Sequence, residues 1–261
     1  MKTALITGAS DGIGLELARI LARNGHRLIL VARRLDRLHK LREELQLIGP
    51  IEVHCMGLDL SVHDAAADLY QQIQLLGWTV DFLINNAGVG VYGAFAESDW
   101  GKTAAMIDLN IRSLTQLTHL FLPAMIAQGS GRIMNVASTA AFQPGPGMSV
   151  YFATKAFVLH FSEALHHENC RKGVRVTALC PGPTRSGFAE AMVAPGQSIP
   201  GFLKKKGLPD SASVARYAYR AMMRGDAVAV HGIMNRIMAA SIGLFPRSWV
   251  TRIAAGFTGL R

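Results

Sequence analysis

Short apolar runs alternate along the chain with longer segments whose apolar positions recur every three or four residues. The runs are TALIT (3–7), RLILV (27–31), IEVHCM (51–56), VDFLI (80–84), RIMNVA (132–137), VRVTALC (174–180) and AVAV (227–230). Most are continuously apolar rather than alternating, as expected of strands covered on both faces. Asn135 interrupts the fifth run without destroying the pattern. Between the second and third runs, RRLDRLHKLREELQLI sets Leu35, Leu38, Leu41, Leu45 and Ile48 on one helical face. Seven strands separated by helices predict an α/β protein with a doubly wound parallel sheet and helices on both faces. No linker, repeat or composition break is evident, so residues 1–261 are expected to form one domain. Two segments depart from the alternation. Residues 185–208 break up into Gly, Pro and Lys, and residues 227–261 contain no Asp or Glu.

Composition narrows this picture. Half of the 261 residues are hydrophobic and 17% are charged, enough apolar surface for a large core. Cys55, Cys170 and Cys180 are odd in number and lack CxxC spacing, which argues against a disulfide framework or zinc site and favours a reducing compartment. MKTALITGAS enters a glycine turn within seven residues and is expected as a first strand rather than a leader. No stretch is long and apolar enough to suggest a spanning helix. The net charge of +9 suits an anionic cofactor, an anionic membrane or nucleic acid, but no nucleic-acid motif accompanies it. His166 and His167 are adjacent on a helix and point apart, and His54 and His63 lack partners at ligand spacing, so no metal site is expected.

The first strand runs into TGASDGIG (7–14), whose glycines Gly8, Gly12 and Gly14 are spaced GxxxGxG, and then into a helix ending near Asn24-Gly25. A glycine turn there brings backbone N–H groups and the positive helix end against a pyrophosphate. The second strand ends in VARR. An acidic residue at this place would bond a ribose 2′-hydroxyl, whereas Arg33 and Arg34 suit a 2′-phosphate, favouring NADP(H).

YFATK (151–155) places Tyr151 and Lys155 one helical turn apart on one face. With TGASDGIG, LDL (58–60), NNAG (85–88), Asn110, Ser138 and PGPT (181–184), in this order, the sequence resembles the short-chain dehydrogenase/reductase family over about residues 3–230. The resemblance implies a Rossmann-type fold and a catalytic tetrad of Asn110, Ser138, Tyr151 and Lys155. It also implies nucleotide contacts from Gly8, Ser10, Gly12, Ile13, Gly14, Asp59, Asn86, Gly88, Tyr151, Lys155, Pro181, Gly182 and Thr184. Asp59 would bond the adenine, Asn86 and Gly88 would lie near the adenosine ribose, and Thr184 would hold the nicotinamide carboxamide. Lys155 would lower the pKa of Tyr151 and bond the nicotinamide ribose. Ser138 would bond the substrate oxygen, and Asn110, within a helix, would anchor a water in a proton relay. Asp11 departs from the family pattern, since NADP-using relatives often carry a basic residue there. A carboxylate in that place opposes a 2′-phosphate unless it points away.

The expected activity is hydride transfer between NADP(H) and a ketone or secondary alcohol. Residues 185–208 would form a substrate lid, whose Phe188, Met192, Ile199, Phe202 and Leu203 suggest an apolar ligand. The expected setting is cytoplasmic, as a homo-oligomer (dimer or tetramer). Residues 231–261, basic and apolar, would pack on the substrate side or a partner subunit, or touch a membrane peripherally. The rival expectations are a non-catalytic NADP(H) sensor or scaffold and a peripheral membrane lipid or 3-oxoacyl reductase.

Overall fold

The computed structural model describes residues 1–193, 200–203 and 207–259, with only the backbone of Phe202. The expected positions Ile199, Lys204, Lys205, Lys206 and Arg261, and the Phe202 side chain, lie outside this set. The strands are β1 (Thr3–Thr7), β2 (Arg27–Ala32), β3 (Val53–Gly57), β4 (Phe82–Asn85), β5 (Gly131–Val136), β6 (Val174–Cys180) and β7 (Val228–Val230). The helices are α1 (Gly12–Arg23), α2 (Leu35–Gln46), α3 (Ala65–Leu75), α4 (Trp100–Ile107), α5 (Leu114–Ala127), α6 (Ser149–Asn169), α7 (Phe188–Met192), α8 (Ser211–Arg224), α9 (Ile233–Ser241) and α10 (Arg247–Thr258). All seven strands are parallel, in the order β3-β2-β1-β4-β5-β6-β7. The expected α/β sheet is therefore present, with strand ends shifted by one or two residues.

Alternation along the strands divides the core. Ala4, Ile6, Leu28, Leu30 and Ile84 pack against Leu17 and Leu21 of α1, Leu38 and Leu41 of α2, and Val214 and Ala218 of α8. Leu5, Ile29, Val31, Leu83 and Ile133 face the other way, onto Leu69 and Ile73 of α3 and Leu117 and Phe121 of α5. Each fully buried side chain of this size contributes about 1.5–3 kcal/mol, so both faces must be covered for the strands to be stable. In α2, Leu38, Leu41 and Leu45 are buried, while Leu35 and Ile48 at the ends of the stripe are exposed. The strand order reverses between β1 and β4, where the crevice beyond the strand ends is the usual ligand site of such sheets.

Asn135 has a structural explanation. It pairs in register with Asn85, whose Nδ2 donates to Asn135 Oδ1 at 2.9 Å and to Thr118 Oγ1 at 3.1 Å. Asn135 Nδ2 in turn donates to Ser162 Oγ at 2.9 Å, and Ser162 bonds the Val158 carbonyl. The chain of buried bonds ties α5, the sheet centre and α6 together, and α6 carries Tyr151 and Lys155. Removing Asn135 leaves buried Asn85 and Ser162 each short of one hydrogen bond. Asn135→Ala is expected to lower the urea unfolding free energy by about 2–4 kcal/mol with an unchanged m-value, and a loss below about 0.5 kcal/mol would contradict this role.

Candidate active site

The nucleotide end of the crevice is shaped by Asn86, just beyond β4. Its Nδ2 donates to the carbonyls of Thr7 (3.0 Å) and Gly8 (3.1 Å), while the backbone N–H groups of Asn86 and Ala87 donate to Thr7 Oγ1, both at 3.0 Å. This strap holds the glycine turn against the next strand. Gly8 has φ +67°, and a Cβ there would meet the Ala87 backbone at 2.9 Å; one at Gly14 would collide with the Asn86 amide. The cradle is thus a surface that only glycine permits, at the positive end of α1, and it fits a pyrophosphate. Ile13 packs its side chain on the core beneath the turn.

Arg33 and Arg34 stand together after β2, each opposite a carboxylate. Arg33 Nη1 lies 3.8 Å from Asp59 Oδ2, and Arg34 Nη2 lies 3.7 Å from Asp11 Oδ2 and 3.4 Å from Ser10 Oγ. Asp59 also accepts from the N–H (2.9 Å) and hydroxyl (2.7 Å) of Ser61, so it caps the turn after β3 while facing Arg33. Asp11 caps α1, accepting from Gly12 N at 2.7 Å. Its other oxygen is balanced by Arg34 and abuts Gly187, where a Cβ would stand 2.7 Å away. The anomalous acid is therefore engaged in a helix cap and an arginine contact.

At the other end, β5 and α6 bring Ser138, Tyr151 and Lys155 together. Lys155 is 5% exposed and donates from Nζ to the Val136 carbonyl at 2.8 Å. Burial pushes its pKa down to about 8. Tyr151 is 8% exposed, and burial pushes its phenol up to about 12, opposed only by a hydrogen bond with the Ser138 side chain. This corrects the expectation that Lys155 lowers the Tyr151 pKa. The ammonium is directed to the Val136 carbonyl, 5.8 Å from the phenol ring centroid, and desolvation of the ring outweighs it.

Asn110 lies not in a regular α-helix but in a π-helical turn, Asp108–Ser113, between α4 and α5. Single π-helical turns of this kind are frequent at functional sites. Asn110 is 1% exposed; its Oδ1 accepts from Val89 N (3.0 Å), and its Nδ2 donates to Val89 O (2.9 Å) and Thr154 Oγ1 (3.1 Å). Thr154 Oγ1 donates to the Tyr151 carbonyl at 2.7 Å. Thr154, which stands between Tyr151 and Lys155, therefore links Asn110 to α6. Gly88 sits between the two groups, since a Cβ there would lie 3.2 Å from Asn110 Oδ1 and 3.3 Å from Lys155 Nζ. Neither the π-turn nor the Thr154 link has a signature in residue spacing.

The PGPT turn follows β6 beside these groups. Pro181 O accepts from Thr139 N at 2.9 Å, and Thr184 Oγ1 donates back to Gly182 O at 2.9 Å. Of the expected lid residues, Phe188, Met192 and Leu203 pack in one cluster with Tyr151, Met106, Met148 and Tyr92. The Phe188 and Tyr151 ring centroids are 5.7 Å apart. Among the histidines set aside, His166 Nδ1 bonds the Val176 carbonyl at 2.7 Å, a structural role.

A parallel sheet with a glycine cradle at its switch point and a buried Tyr/Lys pair across the crevice defines a nucleotide-dependent oxidoreductase. The model of the short chain dehydrogenase family matches residues 2–195, and the chain belongs to that family. It is 42% identical over 192 residues to a sulfoacetaldehyde reductase of Chromohalobacter salexigens, covering 70% of this chain and 72% of the relative. A short-chain dehydrogenase of Sphingobium yanoikuyae in complex with NADPH superposes with TM-score 0.81 at 31% identity, covering 94% of this chain and 95% of that one. A bulky-bulky ketone specific alcohol dehydrogenase of Comamonas testosteroni gives TM-score 0.78 at 30% identity, covering 94% and 93%. The protein is an oxidoreductase of this family.

The Lys155 environment predicts a pH dependence. Between about pH 8 and 9 the unfolded chain keeps a lysine proton that the folded protein releases, so stability rises with pH in this window; above the ordinary cysteine value of 9 the raised pKa of the buried Cys180 opposes the rise. Above the ordinary tyrosine value of 10 the raised Tyr151 pKa acts oppositely. Urea unfolding of the wild type should show the rise, and Lys155→Met should flatten it. A wild-type profile parallel to that of the variant would contradict the buried ammonium.

Proposed function

We propose that the enzyme reduces the carbonyl of an apolar ketone or related carbonyl compound, with residues 1–261 acting as one domain and the segment near 185–208 as its lid. The observation that carries this reading is a protonated Tyr151 set among Phe188, Met192, Met148 and Leu203. NADPH, when bound, supplies the hydride to the carbonyl carbon. The Tyr151 phenol donates its proton to the oxygen as charge develops there; an alkoxide is a far stronger base than a phenolate, so transfer is downhill even from a phenol near 12. Ser138 bonds the same oxygen and holds Tyr151 in place. Lys155 orients the nicotinamide ribose, and Asn110 fixes the Val89 backbone and α6 beside a path by which Tyr151 is reprotonated.

Arg33 and Arg34 hold the 2′-phosphate, the turn containing Gly8, Ser10, Gly12, Ile13 and Gly14 holds the pyrophosphate, and Asp59, Asn86 and Gly88 line the adenosine side. Pro181, Gly182 and Thr184 flank the nicotinamide. The bulky ketone of the Comamonas relative fits an apolar wall of this kind better than a sulfonate does, because the cluster around Tyr151 offers hydrocarbon rather than cations. The same reading places the protein in the cytoplasm as a homo-oligomer, in peripheral contact with a membrane.

NADPH oxidation with a panel of aliphatic, aromatic and 3-oxoacyl carbonyls tests the activity, and turnover of none of them would leave a nucleotide-binding protein without catalysis. Tyr151→Phe is expected to lower turnover by about 10²–10⁴-fold with NADPH affinity nearly unchanged; near wild-type rates would remove Tyr151 from the role of acid. Arg33→Ala should weaken NADPH binding by roughly tenfold or more and leave NADH binding almost unaltered. Equal weakening of both in a fluorescence titration would refute the 2′-phosphate contact.

A further inference from the structure

Helices α9 and α10 reverse the normal distribution of apolar side chains. α10 turns the smaller Val250, Ala254 and Thr258 inward, and presents Trp249 and Ile253 outward at 58% and 61% exposure. α9 has no buried residue, and its Ile233 is 76% exposed; Leu244, in the short link, is 83% exposed. A helix in water ordinarily hides its largest apolar groups, and a contiguous exposed patch marks an interaction surface. Arg247 and Arg252 lie on this same helix, in a segment without a single carboxylate.

The face is also coupled to the crevice. Tyr92 Oη donates to the Thr258 carbonyl at 2.7 Å, and Tyr92 belongs to the cluster around Tyr151. Asn235 of α9 lies against the PGPT turn, where a Cβ at Gly182 would stand 2.6 Å from its Nδ2. α10 packs on residues 201–203 of the lid. The segment is thus an outer wall of the substrate cleft.

We propose that α9 and α10 dock on an anionic lipid surface, lying in the headgroup plane and opening the cleft mouth toward the apolar phase. The substrate half of this inference rests on the apolar-carbonyl reading; the docking half does not. Charge complementarity selects lipid as the occupant. A second copy seated on the same face about a twofold axis would bring the arginines of one chain toward those of the other with no carboxylate in the segment to balance them. Anionic headgroups supply that charge, while Trp249, Ile253 and Leu244 enter the interface. No helix among the described residues is long and apolar enough to cross a membrane, so the contact is peripheral.

The test is sedimentation of the full chain with vesicles of phosphatidylcholine alone or mixed with phosphatidylserine, at low and high salt. The expected result is co-sedimentation with the phosphatidylserine vesicles, weakened by salt. Arg247→Gln/Arg252→Gln and, separately, Trp249→Ala/Ile253→Ala should each lower partitioning about tenfold or more while retaining turnover of a water-soluble ketone. Failure of the wild type to sediment, or partitioning of both double variants equal to that of the wild type, overturns the proposal. So does a dimer that dissociates in Trp249→Ala/Ile253→Ala without vesicle binding by the wild type, which would assign the face to a second copy. Vesicle binding of the expected pattern without turnover of any apolar carbonyl upholds the docking surface and refutes only the substrate reading.

Discussion

The hydrogen bond from Lys155 Nζ to the Val136 carbonyl, 2.8 Å long, joins the end of β5 to the first turns of α6. It is a contact between a cation and the last carbonyl of a parallel strand, in a place from which water is nearly excluded. Desolvation there weakens the ammonium and raises the phenol one turn earlier on the same helix. The functional pair is therefore set by burial rather than by mutual attraction. Everything that keeps water out, from Met192 and Phe188 to the packing of α6 on β6, contributes to the proton-donating state of Tyr151.

Rigid positioning comes from buried polar bonds on both sides of that contact. The Asn85–Asn135–Ser162 chain anchors the middle of α6, and Asn110 with Thr154 anchors its start. At the nucleotide end, Asn86 performs the corresponding task for the glycine turn. Arg33 and Arg34 are held by Asp59 and Asp11 at distances of 3.8 and 3.7 Å, long enough that an incoming phosphate competes with weak, partly solvated ion pairs. The acid that disagrees with an NADP site when read in isolation becomes compatible with it once its helix-capping bond is considered.

The sheet was legible because parallel strands covered on both faces leave continuous apolar runs, as Leu28–Val31 and Ala178–Cys180 do. The tetrad was legible because its members fall at characteristic separations along the chain. Other features depend on geometry that spacing does not encode. The π-turn at Asp108–Ser113 looks like an ordinary amphipathic helix, and Thr154 looks like a spacer. The direction of the Tyr151 shift required knowing where Lys155 points, and the i,i+4 relation shows only that both share a helical face. The outward placement of Trp249 and Ile253 likewise needed the packing of Val250 and Ala254 to be known.

The central claim is that Lys155 is a desolvated ammonium that stiffens a buried, protonated tyrosine. Its most direct measurement is the ¹³Cε NMR titration of the lysines in the free enzyme, with the Lys155 resonance assigned by its absence in Lys155→Met. The account predicts a Lys155 midpoint at about 8, below the ordinary lysine value of 10.5. A Lys155 midpoint at or above 10.5 would contradict it, because the ammonium would then be stabilised by water or by a phenolate rather than held against a carbonyl in the protein interior.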